Sequence, residues 1–251
     1  MRSPRASVLC LCLVALGWLP ELEAKPPDPP AQAPAPPQPF TAPLPPRESL
    51  PKSSATRLAR LSPGQCKAEL LKRGIKSKPA GRASPGVAAP LRLDGPLRGV
   101  RFVTPGKKSV YGILDCRLAL ALDQLGELLA QRGVAEVHVD NMYRPKAKLP
   151  GRRKPSQHSY GLAVDIYGFA LTSGQKLEVE ADWQGDLGTP PCGPDSRVTD
   201  PRDGAVTLRN LFCDVARSGL FHHLLTPSYD LAHKNHLHLD IKRDSHELLV
   251  K

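Results

Sequence analysis

Several features are missing from this 251-residue chain. Beyond the first two dozen residues, no apolar run approaches the ~20 residues that a bilayer crossing takes, which excludes a later membrane span. No Cys-x-x-Cys pair occurs, which argues against a thiolate metal knuckle. No aromatic-basic stretch or reader motif supports nucleic-acid binding. No segment repeats, which excludes a repeat array. Helical and extended patterns do not alternate regularly, which argues against a parallel α/β sheet.

What is present begins with the layout of a secretory signal peptide. Arg2 and Arg5 make a basic start, residues 6–19 are apolar, and Leu22-Glu23-Ala24 offers a cut site. The expected mature chain is secreted or periplasmic after removal of residues 1–24. That removal takes away Arg2, Arg5, Glu21 and Glu23, so the net charge stays at +11. Such a balance suits an anionic partner, and export makes a wall polymer the natural candidate.

Four cysteines remain: Cys66, Cys116, Cys192 and Cys213. An even number in an exported chain favours disulfides. Three connectivities are open; Cys66–Cys116 with Cys192–Cys213 is favoured because each bond joins neighbouring segments.

Residues 25–51 hold 12 prolines in 27 positions and read as an extended spacer, so a disordered linker is expected over residues 25–60. The folded domain is expected over residues 61–244, with a tail at 245–251. Within it, residues 65–73, 116–132 and 205–218 read as helices. The second places Leu118, Leu122, Leu125 and Leu129 on one face. Residues 134–141, 162–167 and 236–241 read as strands. The expected class is α+β, a small, mainly antiparallel sheet flanked by helices.

The last two strands carry the candidate chemistry. Successive side chains of a strand point to opposite faces. Leu162, Val164 and Ile166 therefore face a core, while Ala163, Asp165 and Tyr167 face away. Likewise Leu237, Leu239 and Ile241 point inward, and His236, His238 and Asp240 share the other face. If both strands lie in one sheet, Asp165 and His238 project together, and His158 can fold back from the loop before Gly161. Two imidazoles and one carboxylate would leave the fourth position of a tetrahedral zinc ion to water, as catalytic sites do. His236 and His233 are placed to act as base or stabiliser. Arg144 is a candidate clamp for a substrate carboxylate, with Tyr143 beside it. Lys146, Lys148, Arg152, Arg153 and Lys154 could form a basic rim attracting acidic wall peptides. Trp183 reads as core rather than groove.

These segments resemble known enzymes. Ser156-Gln157-His158-Ser159-Tyr160-Gly161-Leu162-Ala163-Val164-Asp165-Ile166 matches the Ser-x-His-x-x-Gly-x-Ala-x-Asp-Ile motif of zinc D-Ala-D-Ala carboxypeptidases. His233-Lys234-Asn235-His236-Leu237-His238 resembles the His-x-x-His-x-His cluster of those enzymes and of penicillin-insensitive murein endopeptidases. Closer still, residues 61–242 look like the extensin-like C-terminal domain family. Gln65-Cys66-Lys67, the run from Asp115 to Ala119, Gly168-Phe169, Asp182-Trp183 and the run from Tyr229 to Asp240 carry that likeness.

The resemblance implies a carboxypeptidase-like fold in which His158, Asp165 and His238 hold one zinc ion. It also implies that His236 and His233 act as base or stabilisers, and that Arg144 holds substrate; Tyr143, beside that clamp, is read from its own chemistry as lining a substrate groove. Asn235 stands where some relatives carry a glutamate base, so the histidine-based variant fits. The family pattern has a cysteine at the position of Tyr143 and another in a Gly-Cys-Gly stretch near residues 84–86. Both are missing here, as loss of one disulfide would leave them. The implied function is a secreted zinc-dependent hydrolase of peptidoglycan peptide bonds, a D-Ala-type carboxypeptidase or endopeptidase. The alternative is a non-catalytic, metal-containing wall-binding module.

Overall fold

A computed structural model describes residues 39–46, 53–106, 108–149, 151–243, 245 and 247–251. The expected signal peptide and the start of the expected linker lie outside the described residues. Helices begin where a short polar side chain can accept an otherwise unpaired amide. Ser53 caps α1 (Ser54–Ala59), and Ser62 with Gln65 forms a capping box on α2 (Pro63–Lys72). Three short strands follow: β1 (Ser77–Pro79), β2 (Pro90–Leu93) and β3 (Arg101–Val103). β4 (Leu114–Asp115) then ends on the aspartate that caps α3 (Cys116–Ala130).

Beyond Gly133, in the left-handed region at φ 73°, the chain enters β5 (Val134–Asn141). A 3-10 helix (Gln157–Tyr160) leads to β6 (Ala163–Leu171) and β7 (Lys176–Glu178). After α4 (Val179–Asp182) and α5 (Asp203–Arg217) come β8 (His223–Leu225), a 3-10 turn (Leu231–His233), β9 (Leu237–Asp240) and β10 (Leu249–Val250). The expected helix ends lie within two residues of the observed ones.

The class is α+β. β1, β2 and β4 make a small antiparallel sheet. The main sheet has seven strands in the order β10-β8-β9-β6-β5-β3, with β7 also on β6. It is mixed, since β3 runs parallel to β5 and β10 parallel to β8. It is larger than the small sheet expected, because strands of two or three residues, such as β3, β7, β8 and β10, are too short to display alternation. Leu118, Leu122, Leu125 and Leu129 of α3 are all 0–1 % exposed and join Leu208, Leu211 and Phe212 of α5 in one core with Val164, Ile166, Leu237 and Leu239. Burying each leucine contributes roughly 1.5–3 kcal/mol.

The fold also extends past the expected bounds. α1 precedes residue 61, and β10 pairs with β8 inside the expected tail. Even Phe40 packs on the core, its amide donating to Asn210 Oδ1 at 2.7 Å, while Arg217 holds the Pro39 and Ala42 carbonyls. Proline density hid this, because an apolar ring and free carbonyls suffice for docking without a regular element. The disulfides are Cys66–Cys116, joining α2 to α3, and Cys192–Cys213, joining a loop to α5. They fit an oxidising, extracytoplasmic compartment. Among the described residues no helix is long and apolar enough to cross a membrane.

Candidate metal centre

Asp165 lies in the middle of the main sheet, between β9 and β5. Its register partner on one side is His238 and on the other Asn141. The alternation expected of β6 and β9 is present: Val164, Ile166, Leu237 and Leu239 face the core, and Asp165 and His238 share the opposite face. Nothing in the alternation of β5 places Asn141 there. Val139 faces the core opposite Ile166, and Asn141, two residues on, should follow it. A bulge between Val139 and Asn141 adds one residue and turns Asn141 to the Asp165 side.

His158 arrives from the 3-10 helix, whose cap is Gly161 in the left-handed region at φ 63°. A Cβ there would meet the Asp115 backbone nitrogen at 2.9 Å, so glycine is required for the turn and for the close approach. The result is a triangle of ligand atoms. His158 Nε2 lies 3.1 Å from Asp165 Oδ1 and 3.1 Å from His238 Nδ1, and His238 Nδ1 lies 3.0 Å from Asp165 Oδ1. All three residues are buried.

The outer partners decide which atoms carry lone pairs. His158 Nδ1 is 3.1 Å from the Met142 carbonyl, which can only accept, so Nδ1 carries the hydrogen and Nε2 the lone pair. His238 Nε2 is 3.2 Å from Asp240 Oδ2, which by the same reasoning leaves the lone pair on Nδ1. Asp165 Oδ2 accepts from Asn141 Nδ2 at 2.9 Å, which turns Oδ1 inward. Three lone pairs thus converge on one point, each backed by a second-layer hydrogen bond as in metal sites. Their spacing is close to the ~3.3 Å between vertices of a tetrahedron with zinc-like bonds of about 2.0 Å. The donor set fits a divalent transition metal.

Electrostatics follow the same lines. Burial opposes charge on His238, but hydrogen bonds to Asp165 and Asp240 lift it to about 9 when no cation is present. Burial would raise Asp165, yet His158 and His238 hold its carboxyl well below the usual range. Burial lowers His158 and His236, against the pull of Asp165.

Around the triangle stand the other expected residues. His236 Nδ1 lies 2.9 Å from Asn235 Oδ1, which leaves the Nε2 lone pair 3.7 Å from Asp165 Oδ1. His233 is held through Nδ1 by Asp230 at 2.7 Å, its ring centroid 5.2 Å from that of His236. Arg144 Nη2 lies 3.9 Å from Asp165 Oδ2 and the side chain is about half exposed. The rim Lys146, Lys148, Arg152, Arg153 and Lys154 is exposed on the loop that follows.

Tyr143 does not line a groove. It is 1 % exposed and packs with Ala80, Val87 and Ile113, its hydroxyl donating to the Pro85 carbonyl at 3.0 Å. That contact ties the segment around Pro85 to the one that carries Arg144. Trp183 is core, stacked under Arg209 and bonded to Ser228 Oγ.

His236 also borders a groove of about 650 Å³ lined by Tyr167, Asp140, Glu178, Glu180 and Asn235. This wall carries Asp140, Glu178 and Glu180, the last ion-paired to Lys234 at 3.2 Å, whereas Arg144 and the rim are basic, so charge is divided around the site. Asn141, Asp240, Asp230 and His223, which lies 3.3 Å from Asp240, had no role assigned from the sequence. Asp240 was recognisable as lying on the His238 face; the others depend on register and loop path.

A family model described as the extensin-like protein C-terminus matches residues 64–249. No curated protein and no solved structure matches.

Proposed function

We propose, from the premise that the chain belongs to the extensin-like protein C-terminus family, that it is a zinc-dependent hydrolase of peptidoglycan peptide bonds. The reading rests on one observation: the lone pairs of His158 Nε2, His238 Nδ1 and Asp165 Oδ1 converge at 3.0–3.1 Å with their outer hydrogen bonds already made. Zinc at that point would supply a Lewis acid and a water acidified toward pKa ~7.

The remaining steps belong to the chain's own groups. His236, neutral because burial disfavours its charge, offers Nε2 as a general base and returns the proton to the departing amine. His233, with Nδ1–H held by Asp230, acts as the imidazolium and directs Nε2–H at charge on the scissile carbonyl oxygen. Arg144 presents a planar fork to a substrate carboxylate. The acidic wall beside His236 takes an amino-bearing part of the same peptide. A stem peptide with free carboxylate and ammonium groups meets both demands.

The test is metal analysis of purified protein combined with incubation on purified sacculi, with and without chelator. The expected result is about one zinc per chain and release of wall peptides, both lost in His238→Ala. Zinc and wall binding without release would instead select a non-catalytic binding module. Absence of stoichiometric metal would remove both readings.

A further inference from the structure

A second cavity, of about 1170 Å³, shares no lining residue with the groove beside His236. Three segments distant in sequence build it. Arg60 comes from the end of α1, Lys154 and Gln157 from the approach to β6, and Lys242 and Arg243 from the exit of β9. Arg117 completes the wall, buried and ion-paired to Asp115 at 2.7 Å. Five cationic residues thus border one concavity, and among the described residues no carboxylate lines it.

Asp115 already neutralises Arg117, but Lys154, Lys242 and Arg243 share the same concavity, and like charges gathered in this way repel unless an anion joins them. Arg243 is exposed and offers a fork that matches carboxylate or phosphate oxygens. The cavity also asks for hydroxyl groups. Gln157 lines the cavity with a side-chain amide, a group that can both donate to and accept from hydroxyls. Ser62 and Ser245 add hydroxyls, and Tyr160 adds a flat ring suited to a sugar face. Cations, hydroxyl-binding groups and a ring platform in one concavity suit an acidic sugar better than a bare ion or a flat membrane.

We infer that this cavity binds an acidic glycan, a polyhydroxylated polymer bearing carboxylate or phosphate groups. It holds the protein on such a polymer independently of the metal centre. Gln157 and Tyr160 belong to the 3-10 helix that carries His158, so polymer bound here lies one helix away from that centre.

The experiment measures binding of the full chain, with chelator present, to polygalacturonate, a phosphomannan, polyglutamate and a single-stranded oligodeoxynucleotide. Lys242→Glu/Arg243→Glu is compared with Lys72→Glu/Lys176→Glu, an equal charge change at exposed positions outside the cavity. The expected result is binding of one of the two glycan-type polymers at least several-fold tighter than polyglutamate. That binding should fall tenfold or more in the cavity pair and less than threefold in the other. The polymer that binds better identifies the acid group. Equal losses in both pairs would reduce the effect to net charge, and equal or tighter binding of polyglutamate or oligonucleotide would overturn the glycan assignment. Because chelator is present throughout, a failed zinc reading leaves this result untouched.

Discussion

Asp165 and His238 face each other in register on adjacent antiparallel strands, with Oδ1 3.0 Å from Nδ1. Backbone pairing alone brings them together, so the pair is as rigid as the centre of the sheet. His158 is the adjustable member, set by a short 3-10 helix and one glycine. Substitutions at the site should divide along that line.

Asp240 orients His238 without touching the point where the lone pairs meet. Asp240→Asn keeps the shape but removes the carboxylate that fixes the His238 tautomer. Metal affinity should fall roughly 10- to 100-fold, as for other outer partners of ligating histidines. Competition with a chromophoric chelator measures this, and circular dichroism checks that the fold is kept. Unchanged affinity would mean that Asp240 serves only His223.

Gly161 controls the third ligand. Its φ of 63° is strained for any side chain, and an added Cβ would press on the Asp115 amide nitrogen at 2.9 Å. Gly161→Ala should cost at least ~1 kcal/mol of stability. It should also lower metal affinity, because the helix bearing His158 must shift. Gly64→Ala, where a Cβ meets nothing within 4 Å, is the matched control. Equal effects of the two would break the link between this turn and the site.

How much of the fold and site is legible in the sequence depends on the length of each signal. β6 and β9 display their alternation over enough residues to put Asp165 and His238 on one face from the sequence alone. α3 displays four leucines at helical spacing. Asn141 cannot be found that way, because a bulge reverses its parity. Tyr143 sits beside Arg144 in sequence, yet its ring turns into the core where Pro85 accepts its hydrogen bond. β7, β8 and β10 have two or three residues each, too few for any period. Phe40 docks through one ring and a few carbonyls, which no periodicity announces.

The two disulfides close loops of different length, with sequence separations of 50 and 21 residues. On the chain-entropy model, removing Cys66–Cys116 should cost about 4 kcal/mol and removing Cys192–Cys213 about 3 kcal/mol. Paired Cys→Ser variants followed by denaturant titration give the comparison. A larger loss from Cys192–Cys213 would mean that packing of its loop, rather than chain entropy, dominates.

The pH dependence separates the metal-free from the metal-loaded protein. In the metal-free chain, burial disfavours the His238 cation, but Asp165 and Asp240 raise it to about 9. An unfolded histidine titrates near ~6.5. The folded state therefore holds an extra proton between those values. The resulting stability is fully present below about 6.5 and is lost as pH rises through 9. Metal binding needs the same nitrogen deprotonated, so it displaces that proton and grows stronger over the same interval. Thermal melts at pH 6.5 and 9, with and without zinc, should show the metal-free protein losing stability while the zinc-induced rise in Tm increases. A zinc effect of equal size at both pH values would mean that the ion does not compete for His238 Nδ1, and the three lone pairs would not be its ligands.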